Sequence, residues 1–409
     1  MLKNKKVLLL TASHLSSCPR LLKEADLLFV QGADIHILYL NSLSFLESLD
    51  DKIRDKHPNW NFYPISWNGS KSNKLKVLFS KIIYKFNTYF AFNDDYIQST
   101  SNILINATLN IKADLYIAHH PSLLPAVAKA AHKYKAKFIY DIEDAFPFVD
   151  QENFLSNPNK DIVNIEKKYI NEAVLLSTAS PLYANLYKSL YDLTVEPINL
   201  LNVFNVKQNE PIEFKDRKDL SKTSLYWFSQ TVGLNRGLQD VFNAINELDS
   251  SKYELHIRGN CKEDVKYYLL SLITNTQQLK NIYFHELISN DELEIRNAEH
   301  DIGLALEAPN SLNRDLCISN KILDYISKGL MVVATNTKGH SYILSKLNAN
   351  SYLYEPGNVQ KLKSILSVLI NNTEEISNLK SKSLKLAEDK YNWDTHSLPW
   401  LVELKKLMQ

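Results

Sequence analysis

Glycine is scarce in this sequence, with nine residues in 409. That scarcity excludes glycine-rich low-complexity tracts, and it gives weight to each glycine that falls inside a motif. Only three cysteines occur, Cys18, Cys261 and Cys317, far apart and without a CxxC pair. The spacing suggests neither a disulfide framework nor a zinc site, and it fits a reducing cytosol. An excess of one charge is also missing, since Lys+Arg 47 against Asp+Glu 46 leaves +1. A nucleic-acid binder usually carries a basic excess, so any anion site here must be local. No run of about 18 apolar residues appears, so no membrane-spanning helix is expected. The apolar run near the start, Val7 to Leu10, is short for a secretory leader and suits a first buried strand.

What is present is ordinary globular composition, 45% hydrophobic and 23% charged, which argues against disorder. At about 150 residues per domain the length suggests two or three domains. Short apolar runs alternate with longer helical patterns from end to end, the signature of parallel sheets with crossover helices. The first half offers strands at Lys6–Ala12, Asp34–Leu40, Asn61–Trp67, Asp114–His119, Lys137–Asp141, Val174–Thr178 and Pro197–Asn202. Helices are expected at Pro19–Gln31, stopped by Gly32, and at the Ala- and Leu-rich Ser122–Tyr134. Between Lys207 and Lys222 apolar periodicity disappears, so a linker is placed at 207–222 between domains at 1–206 and 223–385. Further strands follow at Leu225–Ser229, Tyr253–Gly259, Asn281–Phe284, Asp301–Glu307, Met331–Asn336 and Ser351–Tyr354. Residues 386–409 read as terminal helix.

Lys71–Phe90 carries five lysines among bulky apolar residues. The preferred reading is an amphipathic helix packed on the first domain; the alternative is a basic face lying on an anionic membrane.

The strongest motif is the run from Cys317 through Ser319, Asn320, Lys321, Asp324 and Gly329 to Thr335. It reads as a loop, a helix opening at Ser319/Asn320 and stopped by Gly329, then a buried strand. A helix N-terminus with a lysine in its first turn suits a phosphate, and Asp324 one turn on can accept from ribose hydroxyls. Taken alone, a capped helix with a solvated Lys321–Asp324 pair would explain it equally well. Tyr226–Val241 adds a second strand, polar loop and helix, placing Thr231, Gly233, Asn235 and Arg236 where strand ends meet a helix start. Asp301–Glu307 is a third strand, releasing Glu307 at the same edge, with Arg314 and Asp315 close behind.

These stretches resemble the donor-binding half of family-four GT-B glycosyltransferases of the bacterial polysaccharide type. The first half agrees through Pro19-Arg20, through Asp114 to Pro125 with its His119-His120 pair, and through Tyr140-Asp-Ile-Glu143. The resemblance implies an α/β fold of two Rossmann-like parallel-sheet domains facing a central cleft, with the terminal helix packed back on the first. It implies a cytoplasmic, metal-independent, retaining enzyme that moves a sugar from a nucleotide-sugar to a glycan or lipid-linked acceptor in cell-surface polysaccharide synthesis. The nucleotide-sugar is then co-substrate, and no cofactor is expected. Arg236 and Lys321 would hold the diphosphate and Asp324 the ribose. Two positions depart from the family pattern: Thr231 stands where an arginine is usual, and Leu316 where the first glutamate of a Glu-x7-Glu pair belongs.

His119 and His120 end a first-domain strand and would face the donor across the cleft, where a histidine can hydrogen-bond the transferring sugar. A backbone-satisfied loop histidine accounts for each as well. Asp141 and Glu143 can orient the acceptor or serve as caps, and His14 follows the first strand on the same side. No paired carboxylates or His/Cys cluster at metal-ligand spacing is visible, so no metal is assigned. A nicotinamide dehydrogenase would need GxGxxG after strand one, and Thr11–Ser17 contains no glycine. A sugar-nucleotide epimerase of the same architecture and a non-catalytic nucleotide-sugar-binding subunit remain as rivals.

Overall fold

The computed structural model describes residues 2–67, 74–90, 92–154, 156–206 and 214–409, without the side chains of Asn235, Asn290 and Asp291. The chain divides into two compact units, residues 1–200 with 398–409, and 201–397.

The first unit holds a seven-stranded parallel sheet built from β1 (Lys6–Leu10), β2 (Asp34–Asn41), β3 (Asn61–Ser66), β4 (Leu115–Ala118), β5 (Lys137–Ile142), β6 (Leu175–Thr178) and β7 (Ile198–Asn199). Its order is β3-β2-β1-β4-β5-β6-β7. Continuous apolar runs such as Val7–Leu10 are the mark of strands covered on both faces, and all four of these side chains are fully buried. Each such residue contributes roughly 1.5–3 kcal/mol of burial. Helix Leu124–Tyr134 lies against this core through Val127, Ala128, Ala130 and Ala131, small side chains that allow close approach to the sheet.

The second unit repeats the plan with six parallel strands, β8 (Thr223–Val232), β9 (Tyr253–Cys261), β10 (Ile282–His285), β11 (Ile302–Ala305), β12 (Met331–Thr335) and β13 (Leu353–Tyr354), ordered β10-β9-β8-β11-β12-β13. Both units therefore reverse strand order beside their first strand, between β1 and β4 and between β8 and β11. Ligands of open α/β sheets bind outside the carboxyl ends of the strands at such a reversal.

Three expectations need correction. Residues 214–222 do not behave as a linker: the backbone amides of Lys215 and Asp216 donate to Glu299 at 2.9 and 2.8 Å, and Arg217 donates to Asp301 at 3.0 Å. Two of the charges that erase the apolar period, Asp216 and Arg217, pair with Arg258 and Asp301 within the second unit; the rest of the expected linker, 207–213, lies outside the described residues. The terminal segment divides near Leu398 rather than at 386. Helix Leu398–Leu407 buries Trp400, Leu401 and Leu404 in the first unit, where Lys405 donates to Gln31 at 2.6 Å. The third correction concerns helix Lys74–Phe90, whose buried residues are Ser80 and Asn87 while most of its large apolar side chains are exposed. It is not packed through its apolar face; residues 71–73 of the expected segment lie outside the described residues.

Candidate functional site

At the reversal of the second sheet, β8 runs into Gly233, a tight turn at Leu234–Arg236, Gly237, and helix Leu238–Ile245. Gly237 has φ +76°, and a Cβ there would lie 2.6 Å from the carbonyl oxygen of Leu306. Only glycine lets this turn pass so close to the end of β11. The close pass brings Arg236, which is exposed, to the neighbourhood of Glu307. Thr231 is exposed and Gly233 half-buried on the same loop; of Asn235 the backbone alone is described, in the turn.

The centre of the crevice is an ion pair. Lys321, in the first turn of helix Asn320–Ser327, donates to Glu307 Oε1 at 2.6 Å, with its amine 5.6 Å from the centre of the Trp227 ring. Burial pushes the Glu307 carboxyl up, but Lys321, His340 and Arg236 outweigh it and hold the group below its ordinary range. The solvated Lys321–Asp324 pair is thus absent. Asp324 is buried and accepts from Asn297 at 2.5 Å. Its helix is buried nearly all round, at Ile322, Leu323, Tyr325 and Ile326 as well, so a position one turn past Lys321 faces the interior and not a ribose.

Ser319 opens the helix without capping it by its side chain. His340 Nδ1 donates to the Thr335 carbonyl at 3.0 Å, which leaves Nε2 to accept from the Ser319 hydroxyl at 3.1 Å. Burial lowers the His340 pKa and so favours this neutral ring. The Thr335 hydroxyl donates to the Glu307 carbonyl at 2.6 Å, tying β12 to the loop after β11. The sequence reading missed His340, Thr335 and Trp227. A Lys338-Gly339-His340 helix start directly after a strand was the available signal. Arg314 and Asn320 are exposed, Asn320 accepting from Asn202 at 3.1 Å. Asp315 accepts from the Lys338 amide at 3.0 Å, and Leu316 is buried.

In the first unit the groups at the reversal form a buried charge network. Arg20 donates through Nε and Nη2 to the two oxygens of Asp141, each at 2.5 Å, and Ser177 also donates to Asp141. His119 Nδ1 lies 2.9 Å from Glu143 and 3.3 Å from Asp141, and its Nε2 3.5 Å from Glu24. Burial alone would lower the His119 pKa, but Glu24, Asp141 and Glu143 raise it well above the ordinary value. Burial, reinforced by Asp141, pushes Glu24 up to about 8. Burial also acts to raise Asp141, yet Arg20 and His119 hold it well below the carboxylate range. The cluster thus sets the Arg20 guanidinium and a His119 ring kept basic by its carboxylate neighbours against Asp141, while burial favours the protonated form of Glu24.

Glu24, His119 and Asp141 each offer a donor atom within 4.8 Å of the others, a grouping that could hold a cation. The Arg20 guanidinium already places positive charge on both Asp141 oxygens, so the cluster is balanced as it stands. His119 is fully buried within it and does not present its ring to solvent. His120 instead accepts from the Ser122 amide at 3.2 Å and packs edge-on against Phe146, and burial pushes it down to about 4. His14 is consumed inside the unit. The amides of Ser42 and Leu43 donate to its Nε2 at 3.0 and 2.8 Å, so Nδ1 carries the proton and donates to Asp50 at 2.7 Å. No ring nitrogen is left for an acceptor.

Neither family models nor curated proteins give a match to this chain. Solved structures do. HepE of Anabaena, in complex with UDP and glucose, superposes with a TM-score of 0.67 at 14% identity, covering 98% of this chain and 100% of that one. A glycosyltransferase from Rickettsia africae gives 0.67 at 13%, covering 99% and 98%. Sucrose-phosphate synthase from Thermosynechococcus elongatus gives 0.67 at 10%, covering 99% of each. At these identities the likeness establishes the fold alone: two Rossmann-like parallel-sheet domains, the GT-B fold.

Proposed function

We propose that this chain is a cytoplasmic, retaining glycosyltransferase that uses a nucleotide-sugar donor to extend a glycan or lipid-linked acceptor in polysaccharide synthesis. The observation that carries the reading is the Lys321–Glu307 pair at the reversal of the second sheet, with Arg236 and a helix N-terminus beside it. Sugar transfer requires a leaving diphosphate to be neutralised, and preorganised cations and amides in a partly dry crevice do this most effectively. Lys321 would exchange Glu307 for a phosphate oxygen, Arg236 would approach from the opposite loop, and the amides from Ser319 to Lys321 would complete the cradle. Retention places the leaving phosphate beside the acceptor hydroxyl, so it can take that proton and no protein nucleophile is assigned. Structures of the same fold with UDP bound support the donor class. A thermal-shift screen across UDP-, GDP- and CMP-sugars tests it; no shift with any donor would remove the reading.

One observation favours a second reading. Buried Leu316 supplies no carboxylate where the resembling family has one, as suits a non-catalytic nucleotide-sugar-binding subunit. Donor binding without transfer or hydrolysis would select it.

A further inference from the structure

Helix Lys74–Phe90 turns its apolar side outward. The side facing the unit is Val77, Ser80, Tyr84 and Asn87, spaced three, four and three apart as one helical face requires. It is seated by polar contacts: the Ser80 hydroxyl donates to the Ser99 carbonyl at 2.6 Å, and Asn87 accepts from the Asn93 amide at 2.8 Å. The opposite face is Leu75, Phe79, Ile82, Phe86 and Tyr89, flanked by Leu78 and Phe90. Leu75, Phe79 and Tyr89 are 79%, 64% and 83% exposed. Contiguous apolar surface of this kind on a folded domain marks a binding face.

Charge identifies the occupant. The helix contains no acidic residue. At about 100° per residue, Lys74, Lys81 and Lys85 run along one border of the stripe and Lys76 along the other. All four lysines are exposed. Beneath the helix, Asp95 is already neutralised by Lys129 at 2.5 Å and Lys168 at 2.8 Å. An apolar stripe between lysine borders is the pattern of a helix lying in the plane of an anionic bilayer, its rings at the acyl boundary and its ammonium groups among the phosphates. A second copy of the same helix would bring four more lysines and no carboxylate, so self-pairing is electrostatically opposed. Among the described residues no helix is long and apolar enough to cross a membrane, so attachment would be at the surface.

The structure therefore assigns Lys74–Phe90 as a docking face for an anionic lipid surface. This does not depend on the proposed transfer reaction, and its test uses no sugar donor.

The full chain should co-sediment with vesicles of phosphatidylcholine containing phosphatidylglycerol at low salt, and much less with phosphatidylcholine alone. Binding should fall as ionic strength rises. Replacing Lys74, Lys76, Lys81 and Lys85 by Gln should lower the partition coefficient by roughly fivefold per lysine, and so by about 600-fold together. Phe79→Ser with Phe86→Ser should also release the protein, while both variants keep the wild-type melting temperature. Wild type that ignores anionic vesicles at low salt overturns the proposal without needing any variant. So does a dimer by light scattering that the Phe79→Ser, Phe86→Ser variant dissolves, because the face would then belong to a second copy.

Discussion

Lys321 and Glu307 lie 2.6 Å apart at the mouth of the second sheet, one opening a helix and the other following a strand. Each holds the other, so the ammonium group is fixed at the helix start where the proposed diphosphate would lie. Lys321→Ala and Arg236→Ala are each expected to weaken nucleotide-sugar binding by about 1.5–3 kcal/mol, the range of a charge-assisted hydrogen bond. Calorimetry would read this directly, and unchanged affinity in both variants would dismiss the crevice as the donor site.

Asp141 sits between Arg20, His119 and Ser177 with no exposure to solvent. Asp141→Asn leaves two buried cations short of a partner, which costs about 3–5 kcal/mol when one member of a buried pair is removed. The urea midpoint should fall accordingly. Because the folded carboxyl is depressed, its contribution is complete above the ordinary value of 3.8 and fades as pH drops. The gap between variant and wild type should therefore narrow only in strong acid.

The same network bears on metals. Arg20 already covers the Asp141 oxygens of the grouping among the described residues whose donor spacing would suit a cation. Transfer activity is expected to survive EDTA, and activity lost to chelation and restored by Mg²⁺ or Mn²⁺ would contradict the metal-independent reading.

Much of this was legible in the chain. The thirteen strands among the described residues fall within or overlap the stretches marked in the sequence, most clearly where a strand such as β1 is covered on both faces and so is continuously apolar. Gly32 and Gly329 were recognisable as helix stops, and both adopt positive φ. What was not legible depends on partners far apart in sequence. Lys321 was read with Asp324 three residues on, but it pairs with Glu307 fourteen residues back. His14 reads as a loop residue at a cleft, but Asp50, thirty-six residues away, accepts the hydrogen bond from its Nδ1. The amphipathic pattern of 74–90 was visible, but a helical period does not say which face meets the domain; Ser80 and Asn87 decide that through hydrogen bonds to the segment after the helix.

Two titrating groups should respond to pH in opposite directions. Glu24, raised from 4.5 to about 8, binds its proton more tightly folded than unfolded. Its contribution is complete below pH 4.5 and is lost as pH rises through 8. Burial pushes His285 down to about 4 against the pull of Asp216, so its contribution is complete above 6.5 and is lost as pH falls toward 4. Glu24→Gln should flatten the alkaline fall in melting temperature and His285→Gln the acid fall. Melting curves from pH 4 to 9 that keep the wild-type slope in either variant would reject that assignment.

Gly339 tests whether the crevice depends on backbone fit. A Cβ there would lie 1.9 Å from the Cys317 carbonyl oxygen, a clash with backbone that no rotamer relieves. Gly233, on the other wall, has room: the nearest atom to an added Cβ is Arg236 Cγ at 3.9 Å. Gly339→Ala must push helix Lys338–Lys346 away from the 317–319 loop, which breaks the His340–Ser319 bond and moves the amides that precede Lys321. Overpacking of this kind costs about 1–3 kcal/mol of stability. A displacement near 1 Å is also enough to misplace a phosphate cradle. Gly339→Ala is thus expected to lower the melting temperature and lose donor binding, whereas Gly233→Ala should stay close to wild type in both. Equal effects of the two substitutions on donor affinity would show that the close contact between residues 317 and 339 does not hold the crevice.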